Sequence, residues 1–81
     1  MIEMLSSKPY VVGLKQAKKA IRENKAEAII TAVDADPAVL KPVLEMAGEK
    51  GIEVVKEKTM RELGSACKIE VGAAVVAILK E

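Results

Sequence analysis

Two clusters in this chain have residue types and spacings that suit the gripping of a polyanion better than the breaking of a bond. The first is Gly13-Leu14-Lys15-Gln16-Ala17-Lys18-Lys19, a glycine turn that runs into a basic helix. A helix start carries unpaired backbone N–H groups and a partial positive charge, so phosphate is welcome there. Lys15 and Lys19 add point charges in the first two turns, and the Gln16 amide can read the donor and acceptor pattern of a purine edge. The second cluster is Leu63-Gly64-Ser65-Ala66-Cys67-Lys68-Ile69-Glu70-Val71-Gly72-Ala73-Ala74. It reads as a short helix ending in a loop that displays apolar and charged side chains ahead of an aliphatic strand. A cationic helix start beside an apolar loop has the chemistry to hold a bent, unstacked RNA.

The groups that catalysis needs are scarce. The sequence has no histidine, tryptophan or phenylalanine. That removes the commonest general base and metal ligand, and also the usual aromatic platforms for stacked bases. Cys67 has no histidine to activate it and is read as a small buried apolar residue. Asp34 and Asp36 could together face a cation, but two carboxylates beside Pro37 are read as turn and cap residues. Neither Gly-x-Gly-x-x-Gly nor phosphate-loop spacing is present. No enzyme activity, metal or cofactor is expected.

The bulk properties set the frame. Eighty-one residues, 51% of them hydrophobic and 31% charged, make one domain over 1–81. Such a domain buries roughly 60–65% of its unfolded surface. No apolar run approaches the roughly 18 residues that a membrane span needs. Met1 to Lys8 lack the pattern of a signal peptide. A single cysteine fits a reducing cytoplasm, and no large leftover apolar face is evident, so a cytoplasmic monomer is expected. Net charge is only +1, yet residues 1–25 hold six cations and two acids, whereas residues 26–53 hold two cations and six acids. That asymmetry implies one positive face and one that repels nucleic acid.

Elements must position these clusters. Ile2 to Ser7 reads as a short helix and Tyr10-Val11-Val12 as a brief strand before the Gly13 turn. At about 100° per residue, Leu14, Ala17, Ala20 and Ile21 share one side of the next helix, with Lys15, Lys18, Lys19 and Arg22 on the other. Asn24 stops it. Ala28 to Val33 forms a doubly buried strand. Asp36-Pro37 opens a helix whose inward residues are Val39, Leu40, Val43, Leu44 and Ala47. Pro42 should kink that helix or mark where its regular part begins. Gly51 ends it, and Ile52 to Val55 forms another strand. Thr59-Met60-Arg61-Glu62 fits a capping box for a helix reaching about Cys67. Val71 to Leu79 closes the chain as a central strand. Alternating helices and strands predict an α/β chain, a three-layer α/β/α sandwich around a small mixed four-stranded sheet.

Taken in order, the two clusters and Asp34-Ala35-Asp36-Pro37 resemble the L-seven-Ae ribosomal protein family, over about residues 8 to 80. The likeness is greatest to its short bacterial YbxF-type branch. The resemblance implies binding to kink-turns, RNA helix–bulge–helix elements bent sharply at tandem sheared G·A pairs. It implies that Gly13, Leu14, Lys15 and Gln16 enter the widened major groove at those pairs, with Lys19 on phosphate or guanine one turn later. Lys15-Gln16 stands where archaeal and eukaryotic members typically have Asn-Glu. Asp36 replaces a glutamate near a flipped-out nucleotide, whose pocket Leu40 would help wall. Ile69, Glu70 and Val71 match the loop that packs on unstacked bases. Lys68 occupies a position that is usually glycine, and Met60 replaces a lysine common outside the bacterial branch. Lys18, Arg22, Arg61 and Lys68 are further candidates for phosphate contacts.

The physical logic agrees. A-form RNA hides its bases in a deep, narrow groove, so selective proteins seek bulges and non-Watson–Crick regions. Two other functions compete. One is a protein-interaction or assembly module in which Ile69 and Val71 dock a protein partner and the lysines only solubilise. The other is a small nucleotide-binding or catalytic α/β domain. The resemblance implies structured RNA as the partner, with no membrane and no small-molecule substrate, and leaves the cellular RNA open.

Overall fold

The computed structural model describes residues 8–80, and its helices and strands alternate as the apolar periodicity requires. The opening helix expected over Ile2 to Ser7 lies outside the described residues. β1 (Tyr10–Val12) leads through Gly13 into α1 (Leu14–Arg22), and β2 (Ala26–Thr31) leads into α2 (Pro37–Lys50). β3 (Glu53–Lys56) leads into α3 (Met60–Ala66), and β4 (Val75–Leu79) follows. The strands form one mixed sheet in the order β1-β4-β2-β3. β2 and β3 are parallel, while β4 runs antiparallel to β1 and β2.

Register separates the two faces of the sheet. Tyr10 and Val12 lie opposite Ile78 and Val76, which lie opposite Ala28 and Ile30, so these six side chains share one side. There the Tyr10 hydroxyl donates to the carbonyl of Cys67 at 3.3 Å, which puts α3 over that face. Val11 and Leu79 point the other way and line a cleft with Gln16, Lys19 and Ala20 of α1. α2 packs beside α1. The arrangement is the expected α/β/α sandwich. Its core joins Ile21, Val43 and Leu63 from the three helices to Ile29, Ile30, Val75, Val76 and Ile78 of the sheet.

Local signals end the helices as read. Asn24 adopts a left-handed conformation (φ 60°). The Lys25 N–H donates to the Ala20 carbonyl at 2.8 Å and the Asn24 N–H to Ile21 at 3.0 Å, which closes α1 in a Schellman motif. Gly51 (φ 67°) closes α2 in the same way.

Several boundaries differ from expectation. β2 starts at Ala26 and stops at Thr31, because its ladder to Leu79 and Val75 of β4 sets its ends. β3 is shifted one residue, to Glu53–Lys56. Val71 to Ala74 are loop, since pairing of β4 with β2 begins only at Val75. In α2, Leu40, Val43 and Ala47 are buried, whereas Val39 and Leu44 are 43% and 37% exposed. Val39 and Leu44 lie about 70° to either side of the buried stripe, so they flank the contact rather than fill it. α2 continues through Pro42, which leaves the Ala38 carbonyl without its i+4 donor.

Among the described residues Thr31 is the one buried polar side chain of the core, and its hydroxyl has no hydrogen-bond partner. A buried orphan hydroxyl costs about 1–3 kcal/mol. Thr31→Val keeps the shape without that cost, so chemical denaturation should show a gain of about 1 kcal/mol.

Candidate nucleic-acid interface

Sheet direction decides which loops meet. β2 and β3 end where the antiparallel β4 begins, and β1, antiparallel to β4, ends there as well. Four segments therefore gather at one sheet edge: the Gly13 turn, Val33–Pro37, Lys58–Met60 and the loop entering β4. Hydrogen bonds stitch them together. The Gly13 N–H donates to Val75 (3.0 Å), Ala32 to Ala74 (2.9 Å), Val33 to Lys58 (2.7 Å) and Ala73 to Met60 (3.0 Å). Gly13 of the first sequence cluster and Ala73 and Ala74 of the second thus share one end of the molecule.

All three helices begin at this edge, but their starts differ. At α2, the Asp36 carboxylate accepts the Ala38 N–H (2.9 Å), and Pro37 has no N–H to offer. At α3, Thr59 accepts from the Glu62 N–H (3.1 Å) while Glu62 accepts from the Thr59 N–H (3.0 Å). The Asp34 carboxylate also accepts the Met60 N–H at 2.7 Å. α1 has neither a side-chain cap nor an acid in its first turn. Its ladder starts with the Ala17 N–H on the Gly13 carbonyl (2.9 Å), so the N–H groups of Leu14, Lys15 and Gln16 precede it. Among the described residues, α1 is the helix start at this edge left open to an outside anion. Gly13 makes the approach possible: φ 108° with ψ 156° is a conformation essentially confined to glycine.

Lys15, Gln16 and Lys19 are exposed on α1, with Lys18 half-buried, while Ala17, Ala20 and Ile21 face the core and Leu14 is half-buried. Arg22 lies about 10 Å further along the helix axis than Lys15 and is remote from the edge.

The apolar loop is held by close backbone packing. A β-carbon placed on Gly64 would sit 2.2 Å from the Val71 carbonyl oxygen, and one on Gly72 would sit 3.3 Å from the Met60 side chain. The loop therefore folds back along α3 and raises Val71, 71% exposed, with Ile69 (36%) and Glu70 beside it. Lys68 lies where α3 ends and turns back, about two turns of helix from the edge. Its φ is 61°, and the Ile69 N–H reaches Gly64 at 3.0 Å, the geometry of a helix-ending glycine. A non-glycine residue in that conformation costs on the order of 1 kcal/mol. Lys68→Gly should therefore raise the midpoint of urea unfolding by an amount worth about 1 kcal/mol.

Other candidate residues are distributed unevenly. Asp36 and Arg61 are exposed at the edge. Leu40, read as a pocket wall, is only 3% exposed and belongs to the core; Val39 is the exposed aliphatic of that helix start. Asp34 and Asp36 stand at the same edge as Lys15, so charge does not divide into one basic and one acidic face. The structure also adds Asp34 as a tether, a pairing with Met60 that no local pattern announced.

Titration follows these contacts. Burial pushes the Cys67 thiol up, away from the thiolate that a nucleophile needs. The backbone and side-chain hydrogen bonds from Thr59 hold Glu62 below its ordinary value of 4.5. A depressed carboxylate contributes stability above its unfolded value and loses it as pH falls through the folded one. In wild type, capping by Glu62 should fade below about pH 4.5, and Glu62→Gln should flatten that part of the stability profile. Thermal melts across acid pH measure this.

No helix among the described residues is long and apolar enough to cross a membrane. The chain is 46% identical over 78 residues to an RNA-binding protein of Geobacillus sp. (strain WCH70), covering 96% of this chain and 95% of that one. It is 42% identical over 78 residues to the RNA-binding protein YbxF of Geobacillus stearothermophilus, with the same coverage of each. Among solved structures, a Giardia lamblia 15.5 kD RNA binding protein superposes with a TM-score of 0.86 at 30% identity, over 99% of this chain and 68% of that one. The family model described as ribosomal protein L7Ae/L30e/S12e/Gadd45 matches residues 3–81. With that span matched, the chain belongs to this family.

Proposed function

We propose that the chain recognises and stabilises kink-turns in structured RNA, acting by binding and not by catalysis. The observation that supports this reading is the shared sheet edge, where an open, lysine-bearing helix start meets the C-terminal end of the loop that carries Ile69 and Val71. Sheared G·A pairs splay guanine O6 and N7 outward, within reach of the Lys15 ammonium and the Gln16 amide. Gly13 and Leu14 let the backbone approach, and Lys19 meets phosphate or guanine one turn on. Ile69, Glu70 and Val71 back the unstacked bases, and Asp36 stands near the flipped-out nucleotide. Arg61 and Lys18 supply phosphate contacts, with Arg22 and Lys68 more distant. The reading makes this a cytoplasmic monomer that needs no cofactor.

Kinked and extended RNA are two populated shapes, and a ligand shifts them only by its differential affinity. A kink-turn RNA labelled at both ends, kept extended by low magnesium, should bend when protein is added. Energy transfer between the labels reports it. Binding without a rise in transfer contradicts stabilisation of the bent form.

A further inference from the structure

We propose that Asp34 is a positioning residue for RNA recognition, clasping the β2–α2 loop to the start of α3 so that the aliphatic loop is held at a fixed place relative to α1. The inference rests on the kink-turn reading and extends it to a side chain that needs no contact with RNA.

The geometry centres on Met60. Its N–H donates to Asp34 Oδ1 at 2.7 Å. Its carbonyl accepts the Ala73 N–H at 3.0 Å, where the aliphatic loop enters β4. Its side chain lies against Gly72, whose added β-carbon would meet it at 3.3 Å. One residue thus joins the acidic loop to the loop bearing Ile69 and Val71. The capping box already satisfies the Thr59 and Glu62 N–H groups, so α3 forms without Asp34. Met60 stands at the first position of α3, where an exposed N–H can turn to water if Asp34 is lost. Folding therefore depends little on this bond. Val33 already donates to the Lys58 carbonyl at 2.7 Å just before α3; what the Asp34 bond adds is a hold on the helix start itself, and so on its following loop, against the β2–α2 loop.

Charge offers a clean separation of roles. A carboxylate at this edge repels RNA phosphate, so losing the charge alone should tighten binding. Asp34→Asn removes the charge but keeps an oxygen that accepts the Met60 N–H, whereas Asp34→Ala removes both.

The experiment titrates wild type, Asp34→Asn and Asp34→Ala against a kink-turn RNA and a control RNA whose G·A pairs are changed to Watson–Crick pairs. Denaturant unfolding of each protein corrects for folded fraction. Asp34→Asn should bind the kink-turn at least as tightly as wild type, and Asp34→Ala at least fivefold more weakly than Asp34→Asn, with no such gap on the control. Equal affinity of the two variants for the kink-turn overturns the proposal, whether both rise through lost charge or both stay unchanged. A gap of the same size on both RNAs overturns it too, since a clasp that serves recognition must act on selectivity. Failure of wild type to prefer the kink-turn refutes the underlying reading instead, and is visible before any variant is compared.

Discussion

Gly64→Ala should lower kink-turn affinity by at least tenfold and cost about 1–3 kcal/mol of stability, the range for overpacking a close contact. The sign is not obvious from sequence, because alanine is favoured over glycine in a helix interior by about 1 kcal/mol. Here the new methyl would stand 2.2 Å from the Val71 carbonyl oxygen. Backbone must retreat by about 1 Å to restore ordinary contact. The retreating segment carries Ile69 and Val71, so the apolar backstop moves away from bases held against α1. Urea unfolding and RNA titration of the variant read the two effects separately. Unchanged stability with unchanged affinity contradicts the packing argument, and lost stability with full affinity in the folded fraction contradicts the role of the loop.

Lys15→Ala and Gln16→Ala should each cost about 1–3 kcal/mol in kink-turn binding, roughly 5- to 150-fold, and relax discrimination at the G·A pairs. Both side chains are exposed in the first turn of the one helix start at this edge left uncapped. Lys18→Ala and Arg22→Ala should cost less and chiefly flatten the salt dependence, since remote cations act through phosphate. Titrations at two salt concentrations distinguish the patterns. Equal losses on RNAs with and without G·A pairs contradict base readout by Lys15 and Gln16.

What could be read from sequence follows the range of the interactions. The basic and apolar faces of α1, the Asn24 stop, the Asp36 cap and the Thr59–Glu62 box are encoded within four residues, and all stand as read. Strand ends are set by partners far along the chain. The apolar run from Val71 to Leu79 therefore looked like one strand, although its first four residues are loop. Val39 and Leu44 were read as core because apolar type alone does not show how wide a stripe the sheet can cover. Leu40 is buried as the helical pattern required, and only the pocket-wall role that the resemblance implied for it is at odds with that burial.

The candidate interface was legible as a list of residues but not as a tethered arrangement. Asp34 and Met60 are 26 positions apart, and nothing local marks their bond. The positive φ at Lys68 became visible only because glycine is usual there in the family it resembles. That Gly64 needs its bare α-carbon depends on a loop returning along α3, which periodicity does not reveal.

The most direct test is a pair of binding titrations with wild-type protein at one fixed salt concentration. One RNA carries a kink-turn, and the other differs only in having its tandem G·A pairs replaced by Watson–Crick pairs. Recognition of exposed guanine edges predicts affinity at least a hundredfold higher for the first, or about 3 kcal/mol. Equal affinity for the two, or binding to neither, contradicts it.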